Sequence, residues 1–528
     1  MPYLFFLTLL EVYASAAVDF HVSAFDSLQT FREDETPIDG ANSICLSAAL
    51  GETEGFQIVV ANWSAETLRD ISVSIQGPSG VAATVYAEGS IEIEKASHSS
   101  QSVPGRHFDL LRPAGWETIE SGTHRPYWVD LRIPEEGVSP GIYQSEVVVS
   151  TGGLTRSIHL ELRVFGFSLP TTPTLKLAFA FVPQWIEQYY ERELTTREIR
   201  ACQDVMLDHH LGPVNMWSSG EELFDSDTLE HCLKRGMNVV LLKCGGTTDT
   251  AMRESLEKLL PRIEMLESLG ALDRAYLFGY DEILEHNPEH IPAMRRMYEM
   301  FHAKFPDIRR ITTSRPDDRL MDFVDIFVPH TRHFQPDMAR DAKVWWYTTG
   351  GDRLHLEPGF RIDYPGTVQR GFFLADWKND VTGHLYWAMT REWPANKSIK
   401  DKSLPEREWI TGYIRSTDGK WAKDNGGGNL FYPDGAGGML PTSRVKRIRD
   451  GIEDYVYFAQ LRAVAKLLEE HRPAGWSKLA ESAHELLIIP EEVIQGKTAI
   501  TRDATALLGL REHVGNCLEA CALALKDL

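Results

Sequence analysis

Ala275-Tyr276-Leu277-Phe278-Gly279-Tyr280-Asp281-Glu282 is a short apolar run that ends abruptly in two adjacent carboxylates, with Asn287-Pro288 closing the loop behind them. A continuous apolar run of this length reads as a buried parallel strand. Chemistry in α/β proteins sits just beyond the carboxyl ends of such strands. Taken alone, Asp281 and Glu282 could equally be solvated loop acids. Their meaning depends on the chain around them.

Working outward, strand-like segments recur on both sides. They are Leu175 to Phe181, Pro213 to Met216, Asn238 to Lys243, Ala275 to Gly279, Arg310 to Ser314, Val324 to Val328, Lys343 to Tyr347 and Gly383 to Trp387. Helical patterns lie between several of them. Thr195 and Glu198 have the spacing of a capping box ahead of Ile199, Cys202 and Met206. Leu256, Leu259, Leu260, Ile263 and Leu266 make a second stripe, and Met294, Met297, Tyr298 and Phe301 a third. Eight such units over roughly 215 residues match a (β/α)8 TIM-type barrel, placed at 174–420. An open doubly wound sheet is the rival, but no GxGxxG or GxxxxGK[ST] follows any strand.

Residues 19–170 instead show short alternating runs such as Ile71-Ser72-Val73-Ser74-Ile75 and Ile158 to Val164, separated by turns such as Gly77-Pro78-Ser79-Gly80. That pattern predicts an antiparallel β-sandwich. Pro170-Thr171-Thr172-Pro173 reads as a stiff linker. Residues 421–528 read as a mixed, mostly helical cap, with helices from about Ser443 to Glu470, near 476–487 and near 502–526. Its charge run Arg444 to Asp450 is expected to be a solvated face.

At 528 residues the chain is long enough for about two to four domains. The excess of 76 acidic over 54 basic residues argues against nucleic acid or anionic membrane as partner. Residues 1–17 read as a signal peptide, with an apolar stretch from Tyr3 to Leu10 and small residues at 14–17, although no Lys or Arg precedes it and Glu11 follows. Secretion or periplasmic export is the corresponding expectation. No later segment is apolar enough for a membrane span. Six cysteines form no CxxC pair, and Cys517 and Cys521 are expected to face a core.

If the barrel forms, the strand ends deliver Gln184 and Trp185, Asn215 and Trp217, Lys243, Asp281 and Glu282, Ser314 and Arg315, His330, Tyr347 and Trp387 to one pocket. Tyr280 leads into the dyad, and Asp363 and Tyr364 approach from the loop after the seventh strand. Acids, aromatics and polar donors of this kind suit a sugar. No cofactor signature is present. His209-His210 and His286 with His290 lack a third metal ligand nearby, and neither HExxH nor GxSxG occurs.

Four stretches together resemble glycoside hydrolase family 123 and the wider group sharing its domains: Tyr276 to Glu282, Ile362-Asp363-Tyr364-Pro365, Leu385-Tyr386-Trp387 and Arg449-Asp450-Gly451-Ile452-Glu453-Asp454-Tyr455. The resemblance implies an exo-acting β-N-acetylgalactosaminidase whose substrate supplies its own 2-acetamido group as nucleophile. It assigns Glu282 as general acid/base and Asp281 as the group that orients the acetamido N–H and stabilises the cyclised intermediate. Trp185, Asn215, Trp217, Tyr280, His330, Tyr347, Asp363, Tyr364 and Trp387 are then substrate-binding candidates.

Adjacency of the two acids fits that chemistry. Conventional glycosidases place two carboxyls about 5–9 Å apart across the scissile bond. Neighbours on one strand end cannot easily straddle a sugar in that way. Crowding should also raise the pKa of one of them. Two alternatives stay open: a glycosidase pairing Glu282 with Asp363 on a non-acetamido sugar, and a carbohydrate-binding barrel without turnover.

Overall fold

The computed structural model describes residues 19–35, 40–77, 79–97, 102–115, 117–217, 225–349, 358–403, 409, 413–415, 421–423, 425–472 and 475–526. The leader read at 1–17 lies outside these.

Two sheets make up the N-terminal region. One orders its strands Phe20–Asp26, Thr53–Asn62, His124–Arg132, Ala82–Ile93 and Gly105–Pro113, and the other orders Ser43–Leu50, Leu154–Ser168, Gly141–Thr151 and Ser72–Gln76. Phe56, Ile58, Val129 and Leu131 of the first pack with Val147, Val149, Leu160 and Leu162 of the second in one apolar core. The sandwich is not wholly antiparallel, because Ser43–Leu50 runs parallel to Leu154–Ser168. A parallel pair needs a long crossover, and here every other strand of the second sheet and most of the first intervene between the two partners.

Parallel strands follow the proline linker. Lys176–Ala180, Pro213–Val214, Val240–Lys243, Ala275–Phe278, Arg309–Thr312, Ile326–Phe327 and Gly383–Tyr386 take seven of the eight expected places. The eighth place, seventh in chain order, is shared by Lys343–Val344 and Trp346–Thr348. The first piece pairs with Ile326–Phe327 and the second with Gly383–Tyr386, so the ladder changes partner at Trp345. The strands therefore run 2-1-8-7 in one sheet and 3-4-5-6-7 in the other.

The closed eight-stranded barrel expected from the sequence is not seen: among the described residues no ladder joins the second strand to the third. The second strand is only two residues long, and Pro213 has no N–H to offer. The Asn238 side chain, just before the third strand, instead ties that strand to the first strand and the linker. Its oxygen accepts from Leu177 N–H at 3.0 Å, and its nitrogen donates to the Pro173 and Leu175 carbonyls at 2.9 and 2.8 Å.

Helices pack outside these strands. Thr196–Leu207 starts with the Thr195–Glu198 capping box, and Asp249–Ser268 runs on through Pro261. Ser443–His471, Trp476–Leu486 and Ala504–Leu525 form the C-terminal region together with short two-stranded pieces. Cys517 and Cys521 stand with their sulfurs 3.9 Å apart, unbonded. No helix of the described residues is long and apolar enough to cross a membrane.

The charge run in Ser443–His471 departs most from expectation. Arg444, Lys446, Arg447, Arg449 and Asp450 are all buried rather than solvated. Arg444 pairs with Asp109 at 2.7 Å, Lys446 with Asp130 at 2.6 Å, and Arg449 with Asp130 at 3.0 Å. Arg370, from the helix Gly366–Lys378, holds Asp454 at 2.7 Å and Glu54 at 3.1 Å. Arg511 joins Glu52, Glu54 and Asp454. Buried ions persist only when paired, and these pairs draw on the sandwich, the parallel region and the C-terminal helices. Gly451 lets two of those helices touch, since a Cβ there would come within 2.4 Å of the Arg370 carbonyl. The Arg449-to-Tyr455 run is thus a structural tie.

Candidate active site

The fourth parallel strand, Ala275–Phe278, ends in a tightly held turn. Gly279 passes so close to the third strand that a Cβ would lie 2.6 Å from the Cys244 carbonyl oxygen. Tyr280 and Glu282 both adopt left-handed backbone, with φ of 56° and 45°. Such residues cost about 1–3 kcal/mol each and persist only where their surroundings fix them. Here the Tyr298 hydroxyl stands 3.2 Å from the Gly279 carbonyl and 2.7 Å from that of Ile311, and Thr312 donates to the Tyr280 carbonyl at 3.4 Å.

That turn presents the dyad. The Glu282 backbone N–H donates to Thr313 Oγ1 at 2.9 Å, and the Thr313 hydroxyl donates in turn to Asp281 Oδ1. Tyr347, buried on the seventh strand, donates its phenol to Glu282 Oε1. His286 Nε2 lies 2.6 Å from Glu282 Oε2. His330 stacks edge-on against Tyr347 with ring centroids 4.9 Å apart, bridging the sixth and seventh strands.

The electrostatics follow from this crowding. Asp281 keeps contact with solvent at the mouth of the turn. Yet the surrounding protein raises its pKa, and the Glu282 charge adds to the rise; the Thr313 hydroxyl, Lys243 and His286 oppose it. The rise on Asp281 comes first from burial, and crowding by Glu282 is the smaller contribution. Burial, and then the Glu282 carboxylate, pushes the Tyr347 phenol far above its ordinary range, so it acts as a donor throughout. Burial holds the Lys243 ammonium below the usual lysine range, and Asp281 offsets part of that effect.

Trp185, Asn215, Trp217 and Trp387 form a second group at the ends of the first, second and eighth strands. Trp217 is 45% exposed, and its indole N–H donates to the Trp387 carbonyl at 3.2 Å. Its backbone N–H donates to Asn215 Oδ1 at 2.8 Å. Arg391 lies over the Trp185 ring at 5.6 Å. The Trp387 indole N–H is buried without a partner among the described residues.

Three candidates are employed elsewhere. Tyr280 turns its hydroxyl onto the Gly246 carbonyl at 2.5 Å and so braces the dyad turn. Tyr364 is buried with its hydroxyl bonded to Arg361. Asp363, the alternative second carboxylate, is buried and saturated: Ser97 N–H and hydroxyl reach it at 2.6 and 2.8 Å, Asn425 at 3.0 Å, and Ser102 also donates to it. It ties the sandwich to the loop before Gly366–Lys378, and a carboxylate so occupied has no oxygen left for a sugar.

Of the other strand-end residues, Ser314 is buried and Arg315 pairs with Glu285 at 3.2 Å. Thr313 and His286 are the site residues that the sequence reading missed. Thr313 stands one place before Ser314. His286 has the helical i,i+4 spacing to Glu282 as well as to His290, and the structure uses the former. A cavity of about 510 Å³ opens elsewhere, where the sandwich, the His209–His210 turn and Ser443–His471 meet. Ion-paired residues of the buried network contribute to its lining, no dyad residue reaches it, and the chemistry points to the strand ends instead.

No family model matches the sequence, and no curated protein matches it. Among solved structures, the chain is similar to a family 123 glycoside hydrolase from Clostridium perfringens, described for glycolipid glycan hydrolysis. That match has a TM-score of 0.67 and 15% identity, over 96% of this chain and 100% of that one. β-Glucuronidase 3 of Bacteroides uniformis matches at a TM-score of 0.32 and 11% identity, over 83% of this chain and 52% of the other, too low a score to carry weight. The chain therefore shares the fold of a family 123 glycoside hydrolase over nearly its whole length.

Proposed function

We propose that the protein is a retaining exo-glycoside hydrolase that removes terminal β-linked N-acetylhexosamine, N-acetylgalactosamine first among them, with help from the substrate's own acetamido group. The observation that carries this reading is the placement of two adjacent carboxylates on one braced strand end, while Asp363 is fully occupied. One acid for proton transfer and one for orientation is what a substrate bringing its own nucleophile requires.

In this mechanism Glu282 protonates the glycosidic oxygen as the C1–O bond breaks. The acetamido carbonyl oxygen attacks C1, and its N–H, growing more acidic, donates to Asp281. Thr313 ties the two acids into one unit, so their relative geometry is set before substrate arrives. Water then attacks C1 and gives its proton to Glu282, which restores the sugar with retained configuration. Trp217 and Trp185 offer ring faces to the sugar. Export of the mature chain, read from residues 1–17, belongs to the same proposal, and the substrate would be a glycan or glycoconjugate outside the cytoplasm.

The decisive experiment compares aryl β-glycosides with and without the 2-acetamido group, on the galacto and gluco series. Selective turnover of the acetamido sugars, blocked by a thiazoline that mimics the cyclised intermediate, is the expected result. Equal turnover of the plain hexosides overturns the assisted mechanism. Turnover of none, with binding retained, overturns the enzyme.

A further inference from the structure

Glu282 has both carboxylate oxygens engaged before any substrate enters. Tyr347 donates to Oε1, and His286 Nε2 stands 2.6 Å from Oε2. The backbone sets the second contact. The N–H groups of Glu285 and His286 both donate to the Glu282 carbonyl, at 3.1 and 2.9 Å, winding Ile283–His286 into a single turn on Glu282 itself. The Asn287 N–H closes that turn on Ile283 at 3.2 Å, and Pro288 ends it. His286 is thereby swung back over the carboxylate four residues before it.

A neutral imidazole presenting a lone pair to a carboxylate would be repelled at this distance, so the contact requires a proton between the two groups. The Tyr347 phenol takes up Oε1 and leaves Oε2 to His286. The acid assigned to the leaving group therefore has an imidazole against the one oxygen that Tyr347 leaves open.

We infer that His286 is a positioning residue that holds Glu282 and shares with it the one proton destined for the leaving group. This rests on the glycosidase reading above. When the C1–O bond breaks, its electron pair goes to the departing oxygen. That oxygen takes the one shared proton by way of Oε2, and Glu282 and His286 together are left one proton short. In the second half, attacking water returns one proton to the pair. Nothing is oxidised or reduced, and the protons balance over a turnover.

The charged and titratable groups around the pair include Asp281 and Glu285 on its own segment, with Lys243, Arg315 and Tyr347 from other strand ends. His333 lies one step further, beyond Glu285 and Arg315. Arg315 is taken by Glu285, and Lys243 acts chiefly on Asp281, so neither substitutes for His286 at Oε2.

His286→Gln tests the inference on two aryl 2-acetamido glycosides, one with a phenyl leaving group that needs a proton and one with a dinitrophenyl group that does not. An isolated imidazole keeps its proton to a pH about two units above an isolated carboxyl. Loss of His286 should therefore move the alkaline arm of kcat/KM for the phenyl glycoside down by about one pH unit or more. Near pH 7 the phenyl substrate should lose about tenfold or more, with the dinitrophenyl substrate nearly unchanged. Superimposable pH profiles, or equal losses on both substrates, overturn the proposal.

If the wild type turns over neither glycoside, the glycosidase reading fails separately. The shared proton is then read from the nitrogen resonances of labelled histidine. A changed His286 titration in Glu282→Gln supports the pair, and an unchanged one overturns it.

Discussion

The phenol of Tyr347 donates to Glu282 Oε1 from the seventh parallel strand, while Glu282 itself hangs from the fourth. Two strands that are not neighbours thus fix one oxygen of the proposed acid/base. A hydrogen bond to a charged group is worth about 1.5–3 kcal/mol. Tyr347→Phe should therefore lower kcat/KM on an aryl 2-acetamido glycoside by about ten- to a hundredfold. The melting transition, followed in parallel, should move little because the ring remains.

Glu282→Gln removes the proposed proton donor outright and should cost about 10²–10⁴-fold in kcat/KM on substrates with poor leaving groups. Asp281→Asn should instead separate substrates by their 2-substituent. Its loss should be large on acetamido sugars, and steady-state assays on the matched pair of aryl glycosides measure the difference.

What could be read from the sequence was what depends on near neighbours. The apolar runs that became parallel strands, the Thr195–Glu198 cap and the dyad at the end of the fourth strand are all local patterns. The buried charges of Ser443–His471 were not legible, because their partners are remote. Arg444 meets Asp109 at a separation of 335 residues, and Lys446 meets Asp130 at 316. Seen alone, such a run looks solvated. The same limit hid the fate of Asp363, whose donors Ser97 and Ser102 come from another domain's loop. It also hid the open side of the parallel sheet, since a two-residue strand beginning with proline still counts as a strand by composition.

Removing one partner from a buried ion network leaves charge stranded. Arg370 is fully buried between Glu54 and Asp454. Arg370→Met should destabilise the fold by about 3–5 kcal/mol. The exposed pair Lys234–Glu230 provides the control, and Lys234→Met should fall within about 0.5 kcal/mol of wild type. Denaturant midpoints compare the two.

Burial raises the Glu88 carboxyl to about 7 from its ordinary 4.5. The folded state then binds a proton that the unfolded chain has released, so stability falls as pH rises between those two values. Glu88→Gln should abolish that slope. It should match wild type near pH 4.5 and exceed it at pH 8 by about 1–3 kcal/mol, read from unfolding curves across the range.

Trp217 is exposed, and among the described residues its hydrogen bond is made at the ring edge, so a ring face is offered to a sugar. Trp217→Ala should raise KM for oligosaccharides about three- to tenfold, with kcat and melting temperature nearly unchanged. Titration of the glycan against Glu282→Gln, with and without the tryptophan, separates binding from chemistry.

The ion pairs along Ser443–His471 also limit how this protein can be divided. Glu54, Asp109 and Asp130 of the sandwich find their cations on helices that come some 300 residues or more later in the chain. A fragment that stops before Ser443 would leave Asp109 and Asp130 facing no countercharge, and a fragment that starts after the linker would strand Arg444 and Lys446. The region carrying Asp281 and Glu282 is therefore no detachable catalytic cassette. Gene fusions and truncations should respect the whole span, and limited proteolysis should release no stable catalytic core.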